Sequence, residues 1–176
     1  MIFIFIINIY IIMLQTAELL SNIDLQFMCE TLKINIKAIT FKDLYHFVKP
    51  GNGCYIINLD DSTSGKYGTH WTGLYINNKT AIYYDAFGLA IPQAIKKFIT
   101  KNKVSKTFFS IDQIQSINST TCGYYVLYFL YFMNVLYPKS VNYKYLLNRH
   151  NAMYSLENKY LNNKILQQLI KNIFKL

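Results

Sequence analysis

The chain has 176 residues, a formal net charge of +9 at pH 7, 52% hydrophobic residues and 16% aromatic residues. This length predicts one domain with a sizeable core, and so apolar a composition excludes an intrinsically disordered protein. The positive charge comes almost entirely from lysine, because Arg149 is the sole arginine. The charge predicts a basic surface that binds nucleic acid or another polyanion, unless a lysine-rich coding bias produced it.

The first predicted element is a hydrophobic segment, residues 1–14. It is shorter than the ~20 residues that a membrane-spanning helix needs. It also lacks the basic flank of a signal peptide, since the first lysine is Lys33, so we do not expect secretion. Three interpretations stay open: a buried core element, a weak membrane anchor, or an over-extended start that precedes the true first residue, Met13. Residues 15–176 are predicted to form a single domain.

The remaining elements alternate between helices and strands. Apolar periodicity and end signals predict helices over residues 14–30, 40–47, 92–101, 122–137, 141–148 and 156–174. Short runs of β-branched and aromatic residues predict strands over residues 54–59, 71–76, 80–85 and 107–114, the middle two joined as a hairpin. The residues expected to face the core from the first and third helices are Leu19, Leu20, Ile23, Phe27, Ile95, Phe98 and Ile99. This order predicts an α+β domain with a central mixed β-sheet flanked by helices.

Cys122 is the strongest candidate for a chemical role. It follows the polar stretch 115–121 and opens the apolar run 124–133, so its thiol is predicted at the N-terminus of a buried helix. Helix N-terminal N–H groups and the helix dipole stabilise a thiolate at that position. Cys29 and Cys54 lie in apolar periodic runs, which predicts a packing role. Three cysteines without metal-binding spacing predict no metal site, and free thiols in a reducing compartment.

His70 and Asp85 are predicted to lie beside each other. His70 is at the start of the first hairpin strand and Asp85 at the end of the second, and these positions are neighbours in an antiparallel hairpin. Asp85 would orient the imidazole, and His70 would act as the base for Cys122. The other histidines, His46 and His150, have no carboxylate at a comparable offset.

Gln115 is the candidate for the oxyanion donor. It lies seven positions before Cys122, in the loop that presents the thiol. Its side-chain amide and the Cys122 backbone N–H could both donate to a developing oxyanion. Gln113 competes for the same role, and each candidate alone also fits a structural role. The prediction therefore depends on the joint positions of these residues.

Three motifs together resemble a known family. They are Gly68-Thr-His-Trp71, Tyr83-Tyr-Asp-Ala-Phe-Gly88 and Gln115-Ser-Ile-Asn-Ser-Thr-Thr-Cys-Gly123. Within residues 52–133 they resemble the adenovirus-type maturation proteases, the adenain family, and more remotely the proteases that cleave ubiquitin-like proteins such as SUMO. The step from glutamine to cysteine is similar to the adenain arrangement. SUMO proteases have a slightly shorter step and a tryptophan-aspartate pair where this chain has Thr120-Thr121.

The resemblance implies a papain-like or adenain-like cysteine protease domain whose catalytic residues are His70, Asp85, Gln115 and Cys122. In this family the histidine is the base, the acidic residue orients it, the glutamine completes the oxyanion hole and the cysteine is the nucleophile. Substrate contacts are expected at Trp71 and Gly123. Adenovirus proteases favour small residues, often glycine, near the scissile bond.

The implied function is a cysteine endopeptidase that cleaves structural precursor proteins of a virus or virus-like element. We expect a monomer that needs no cofactor for its chemistry and works in the host nucleus or cytoplasm and in the virion. The resemblance also implies activation by DNA or by a viral peptide, and the charge of +9 agrees with DNA. Two alternatives stay open. One is a SUMO-deconjugating protease, and the other is an inactive relative that serves as a binding or structural module, membrane-attached through residues 1–14.

Overall fold

The computed structural model describes residues 19–65, 70–140 and 142–174. The hydrophobic segment 1–14, with Met13, therefore lies outside the described residues, as does Gly68 of the first motif. The helices are α1 (Asn22–Thr31), α2 (Gln93–Lys101), α3 (Cys122–Tyr131), α4 (Tyr143–Asn151) and α5 (Lys159–Phe174). The strands are β1 (Ile36–Phe41), β2 (Gly53–Asn58), β3 (Trp71–Asn77), β4 (Thr80–Tyr84) and β5 (Lys106–Phe109).

The five strands form one sheet in the order β1-β2-β3-β4-β5. Strand β3 is the centre and pairs antiparallel with β2 and with β4. The two outer pairs, β1 with β2 and β4 with β5, are parallel. The sheet is therefore mixed and helices cover it, which confirms the predicted α+β class.

Strand β3 is buried on both faces, because helices cover both sides of the sheet. Trp71 and Tyr75 belong to the larger core, which the sheet shares with α1, α3, α4 and α5. Leu74 and Ile76 belong to the smaller core under α2. There Ile95, Phe98 and Ile99 are buried, so the predicted inner face of this helix is confirmed.

Helix α3 is the helix that carries Cys122, and it is buried along nearly its whole length. A helix that is apolar on all sides is a core helix. It lies close against β3 at Gly73, where a Cβ atom would come within 3.2 Å of Phe129 and 3.3 Å of Val126. A side chain at this position would have to displace these two α3 side chains by a few tenths of an ångström.

The predicted helix over residues 40–47 is wrong. Residues Ile36–Phe41 form strand β1, and only Tyr45–Phe47 form a single 3₁₀ turn. Thr40, expected to cap the helix, instead pairs with Ile57 in the parallel ladder. Because β1 gains its hydrogen bonds from a strand that follows later in the chain, its local sequence predicts it poorly.

The first helix of the described residues begins at Asn22, and of the predicted core residues in this segment Leu20 is buried, at 2% exposure. Ser21 caps it, since its hydroxyl accepts the Asp24 N–H at 3.2 Å while the Asp24 carboxylate accepts the Ser21 N–H at 2.9 Å. Leu19 is 50% exposed and Ile23 is 74% exposed. The residues of α1 that are buried are Leu25, Met28 and Cys29. The prediction of Leu19 and Ile23 as core residues is therefore wrong, because the capping box sets the helix start.

Two further predicted elements are shorter in the structure. Strand β5 ends at Phe109, so residues 110–114 lead into the next loop without pairing as a strand. Helix α3 ends at Tyr131 and continues as one π-helical turn, Phe132–Leu136. No helix of the described residues is both long and apolar enough to span a bilayer.

Candidate active site

The hairpin of β3 and β4 brings His70 and Asp85 together. His70 directly precedes β3 and Asp85 directly follows β4. The imidazole Nε2 lies 2.9 Å from Asp85 Oδ1, and the carboxylate is fully buried. The same Oδ1 accepts the backbone N–H of Phe87 at 2.8 Å, so the carboxylate is held from two sides. The two residues are thus neighbours, as the hairpin geometry predicts.

The turn after Asp85 joins the histidine site to the glutamine loop. The carbonyl of Ala86 accepts the backbone N–H groups of Ile114 and Gln115, each at 2.9 Å. Gly88 has a φ of +71°, and a Cβ atom there would lie 2.6 Å from the carbonyl oxygen of Ile111. Glycine is therefore required where this turn approaches the loop that carries Gln115.

Cys122 is the first residue of α3 and lies at the same end of the sheet. Its Sγ accepts the backbone N–H of Trp71 at 3.4 Å, and the residue is 2% exposed. An N–H donor and a helix N-terminus both stabilise negative charge on sulfur. The sulfur therefore faces a backbone donor at the first turn of a buried helix.

His70 has a strongly perturbed proton affinity. Burial lowers its pKa, but the hydrogen bond to Asp85 and the neighbouring Cys122 thiol outweigh burial and raise the pKa of His70 to about 9. Its Nδ1 makes no hydrogen bond of ideal geometry to any described residue, although the thiol is close enough to contribute to this shift. The raised pKa favours the charged imidazolium.

Phe87 belongs to the site although no role was predicted for it. Its ring stacks on the His70 imidazole, with 4.6 Å between the centroids and 29° between the planes. Its backbone N–H holds Asp85 Oδ1 as well. The signal available in the sequence was the aromatic residue two positions after Asp85.

Gln115 is fully buried and is fixed by its own loop. Its Nε2 donates to the carbonyl oxygen of Ser119 at 2.7 Å, which leaves the second N–H of that amide for another acceptor. Its Oε1 has no hydrogen-bond partner among the described residues. Gln113 donates to the Gln115 carbonyl at 3.1 Å, so the competing glutamine braces the loop.

Trp71 and Gly123 pack against the chain that leads into α1. The indole Nε1 donates to the carbonyl oxygen of Leu20 at 2.9 Å, and Trp71 is 3% exposed. A Cβ atom on Gly123 would lie 3.3 Å from the Leu20 side chain. These contacts explain the packing of both residues, and their contact with substrate stays a prediction.

Cys29 and Cys54 have a different environment from Cys122. All three cysteines are free thiols, and Cys29 and Cys54 are fully buried in the core. Burial raises the pKa of Cys29 to about 12 and raises the pKa of Cys54 well above its usual value. Both raised pKa values disfavour the thiolate, the form in which a cysteine acts as a nucleophile. Among the described residues no group of three or more His, Cys, Asp or Glu side chains is placed to hold a metal ion.

Among the comparisons with known proteins, only the one with solved structures finds a similarity, and it concerns the fold. No protein-family model matches the sequence, and no curated protein sequence matches it significantly. The structure is similar to the crystal structure of the selenomethionine form of the ASFV pS273R protease, with a TM-score of 0.54 and 16% identity over 87% of this chain and 68% of that chain. A second crystal structure of the ASFV pS273R protease aligns with a TM-score of 0.47 and 15% identity over 76% of this chain and 60% of that chain. The first of these similarities shows that the chain shares the overall fold of that structure.

Proposed function

We propose that this protein is a cysteine endopeptidase whose nucleophile is Cys122. One observation carries the proposal: His70 is hydrogen-bonded to the buried Asp85 carboxylate at 2.9 Å, and the Cys122 thiol at a helix N-terminus accepts the N–H of Trp71, the residue next to His70, at 3.4 Å. Nucleophile, base and orienting group in that order define thiol hydrolases. The fold, which is similar to that of a protease, supports the same conclusion.

The reaction follows from these contacts. The Cys122 thiolate attacks the peptide carbonyl carbon, and the π electrons of the carbonyl move onto oxygen. The Cys122 backbone N–H and the free N–H of Gln115 Nε2 hold this oxyanion. When the oxyanion collapses, the C–N bond breaks and the His70 imidazolium transfers its proton to the leaving amine.

Deacylation uses the same groups in reverse. His70, now neutral, takes a proton from water while the water oxygen attacks the thioester carbon. The second oxyanion collapses and the C–S bond breaks, which regenerates the Cys122 thiolate and releases the carboxylic acid product. Asp85 stabilises each imidazolium that forms, and Phe87 keeps the ring in the plane that Asp85 requires.

The proposed substrate is a structural precursor protein of a virus or virus-like element, cleaved in a reducing intracellular compartment. The resemblance to adenovirus maturation proteases and the structural similarity to the ASFV protease support this substrate. The three free thiols agree with the compartment.

A cleavage and labelling experiment tests the proposal. The purified chain is given a peptide with glycine beside the scissile bond and, separately, C-terminal probes of SUMO and ubiquitin. We expect cleavage of the peptide, complete loss in Cys122→Ala, and retention in Cys29→Ala. Cleavage of the SUMO probe alone would assign a deconjugating protease instead.

Labelling then separates an enzyme from an inactive relative. Iodoacetamide at pH 7 should modify Cys122 and spare Cys29 and Cys54, because burial keeps those two protonated. If Cys122 resists labelling as firmly as Cys29, the protein is a binding or structural module.

Nucleic acid is the proposed activator. Lys79, Lys101 and Lys103 surround one cavity at the end of the sheet opposite His70. Along β3 this end is about 20 Å from the active site. Duplex DNA should therefore raise the cleavage rate at low salt and lose this effect at high salt. Lys101→Glu should weaken the stimulation, and Lys164→Glu on α5 serves as the control.

A further inference from the structure

The loop that presents Gln115 and Cys122 is held by the C-terminal helix. Residues 110–121 connect β5 to α3 without secondary structure of their own. A loop of this kind needs side-chain partners to hold its polar groups in one geometry. Two consecutive residues of α5, Asn162 and Asn163, supply such partners.

Asn162 holds the start of the loop. Its side chain is fully buried. Its Nδ2 donates to the carbonyl oxygen of Ile114 at 2.8 Å and to that of Ser155 at 2.7 Å, while its Oδ1 accepts the Ser155 N–H at 2.8 Å. The carbonyl that it holds belongs to the residue directly before Gln115. Asn162 therefore fixes the backbone from which the glutamine side chain extends.

Asn163 holds the end of the loop. Its Nδ2 donates to Ser119 Oγ at 3.2 Å, and its Oδ1 accepts the hydroxyls of Thr121 at 3.1 Å and Tyr125 at 3.0 Å. The hydroxyls of Ser119 and Thr121 are also 2.7 Å apart. Asn163 thus ties together Ser119 and Thr121, the residue directly before Cys122.

The two ends meet at the amide of Gln115. The carbonyl oxygen of Ser119 accepts Gln115 Nε2 at 2.7 Å, so the residue that Asn163 holds also sets the direction of this amide. Adjacent helical residues point about 100° apart, which allows Asn162 and Asn163 to reach opposite ends of one loop. The contacts form a continuous path from α5 to the proposed oxyanion donor.

We infer that Asn162 and Asn163 are positioning residues that set the oxyanion hole for the chemical step. This inference rests on the proposed function, because it takes Gln115 as the oxyanion donor. The asparagines touch neither the thiol nor His70 through any described hydrogen bond. Their loss should therefore act on transition-state stabilisation and leave thiolate reactivity unchanged.

Asn163→Leu is the test variant, since Asn163 is only partly buried and leucine has a similar size. Misplacing a catalytic group by about 1 Å costs about 10²-fold in rate, so we expect kcat to fall about 10- to 100-fold. KM should stay within about threefold, because substrate binding does not use the oxyanion hole. The rate of Cys122 alkylation by iodoacetamide should stay within about twofold, because that reaction forms no oxyanion.

Asn172→Leu is the matched control. Asn172 lies on the exposed side of the same helix, where its Oδ1 accepts Gln168 Nε2 at 2.9 Å. The Asn172→Leu variant should have the same kcat, KM and alkylation rate as the wild type. A kcat in Asn163→Leu no lower than in Asn172→Leu would overturn the inference. A parallel fall in alkylation would also overturn it, because the asparagine would then act on the thiol or on the whole fold.

Ser119→Ala keeps the inference testable if Asn163→Leu does not fold. It removes the hydroxyl that Asn163 holds and retains the carbonyl that Gln115 uses. We expect a smaller fall in kcat, about threefold to tenfold, with unchanged alkylation. In the double variant the two losses should not add, since both break one path. Full additivity would contradict a path through Ser119.

We call the contacts of Asn162 and Asn163 with residues 114–121 the clamp, and hydrogen exchange separates failure of the clamp from failure of the proposed function. Absence of any peptide cleavage by the wild type would refute the endopeptidase. The clamp is then tested by the exchange rates of the backbone amides of Gln115 and Ser119, which donate to the carbonyl oxygens of Ala86 and Ser116. These amides should exchange at least tenfold faster in Asn163→Leu than in Asn172→Leu. Equal exchange in the two variants would refute the clamp.

Discussion

Two regions of this molecule each bury a histidine, and they give it opposite proton affinities. His70 is 8% exposed at the start of the central strand β3, and His150 is fully buried in the core under α3. The pKa of His70 is raised to about 9, and the pKa of His150 is lowered to about 4. Burial lowers the pKa in both cases, so burial does not decide the difference.

The hydrogen-bond partners of the two histidines cause the difference between their pKa values. His70 Nε2 faces the ionisable carboxylate of Asp85 at 2.9 Å, and the Cys122 thiol adds to its effect. His150 Nδ1 faces the neutral amide of Asn151 at 3.1 Å. Its Nε2 has no hydrogen-bond partner among the described residues. The aromatic rings around His150 are those of Tyr84, Tyr128, Phe129, Phe132 and Tyr154. One region stabilises an imidazolium beside a carboxylate and a thiol, and the other packs a neutral imidazole among aromatic rings.

Removing the charge of Asp85 should have the largest effect. Asp85→Asn gives His70 a neutral amide partner, like that of His150, so its pKa should fall. We expect kcat/KM to drop by about 10³- to 10⁴-fold, as for a lost orienting carboxylate. Peptide cleavage gives the rate, and NMR titration of the imidazole gives the pKa. Asp61→Asn, which breaks a surface ion pair with Lys42, is the control. Full activity in Asp85→Asn would remove Asp85 from the mechanism.

His150 should make the fold sensitive to acid. Its folded-state pKa of about 4 lies below the usual value of 6.5, so the unfolded chain binds the proton more tightly. Stability should therefore fall as pH drops from about 6.5 towards 4, by up to about 3 kcal/mol. His150→Phe keeps an aromatic ring and should flatten this dependence in urea unfolding. Parallel pH profiles for wild type and variant would show that His150 is not the cause.

The activity should fall as the pH rises, whereas the stability that depends on His150 should fall as the pH drops. His70 is protonated below its pKa of about 9, so the leaving amine loses its proton donor as the pH rises through this value. We expect kcat/KM to fall about tenfold for each pH unit above 9. The stability that the charged pair contributes, present below about 6.5, should be lost over the same rise through pH 9. A profile of kcat/KM that stays flat up to pH 10.5 would contradict the raised pKa.

The smallest expected effect concerns Phe87, the stacking partner of His70. Phe87→Leu keeps an apolar side chain and removes the ring contact, which is worth about 1 kcal/mol. We expect cleavage to slow about fivefold. The fall of kcat/KM at alkaline pH should begin at the same pH as in the wild type, because Asp85 remains. Leu89→Ala, at an exposed site three residues after the turn begins, is the control. Identical kinetics in the two variants would leave Phe87 without a role in the site.

Local sequence predicted the parts of the site that depend on hairpin and helix geometry. The separation of His70 and Asp85 matches two strands and a tight turn, and the structure places them 2.9 Å apart. Cys122 was predicted at a helix start, and α3 begins there. Both predictions depend on hydrogen bonds between near neighbours in the chain, which residue types encode directly.

Contacts between distant segments could not be predicted in this way. Strand β1 pairs with β2, and the inner face of α1 was misassigned because Leu25 and Met28 face a core that other elements supply. Asn163 reaches Ser119, which lies 44 positions earlier in the chain. No local pattern marks an asparagine as the partner of one particular loop.

The sequence by itself determined the order of the elements, the hairpin that pairs His70 with Asp85, and the thiol at the start of a buried helix. Only the tertiary structure decided that Asp85 is fully buried, that Phe87 stacks on the imidazole, and that α5 holds the loop before Cys122. The physical reason is that hydrogen-bond periodicity is local, whereas burial and electrostatic environment depend on everything that packs around a group. This is why His70 and His150, the same residue type, differ so widely in proton affinity.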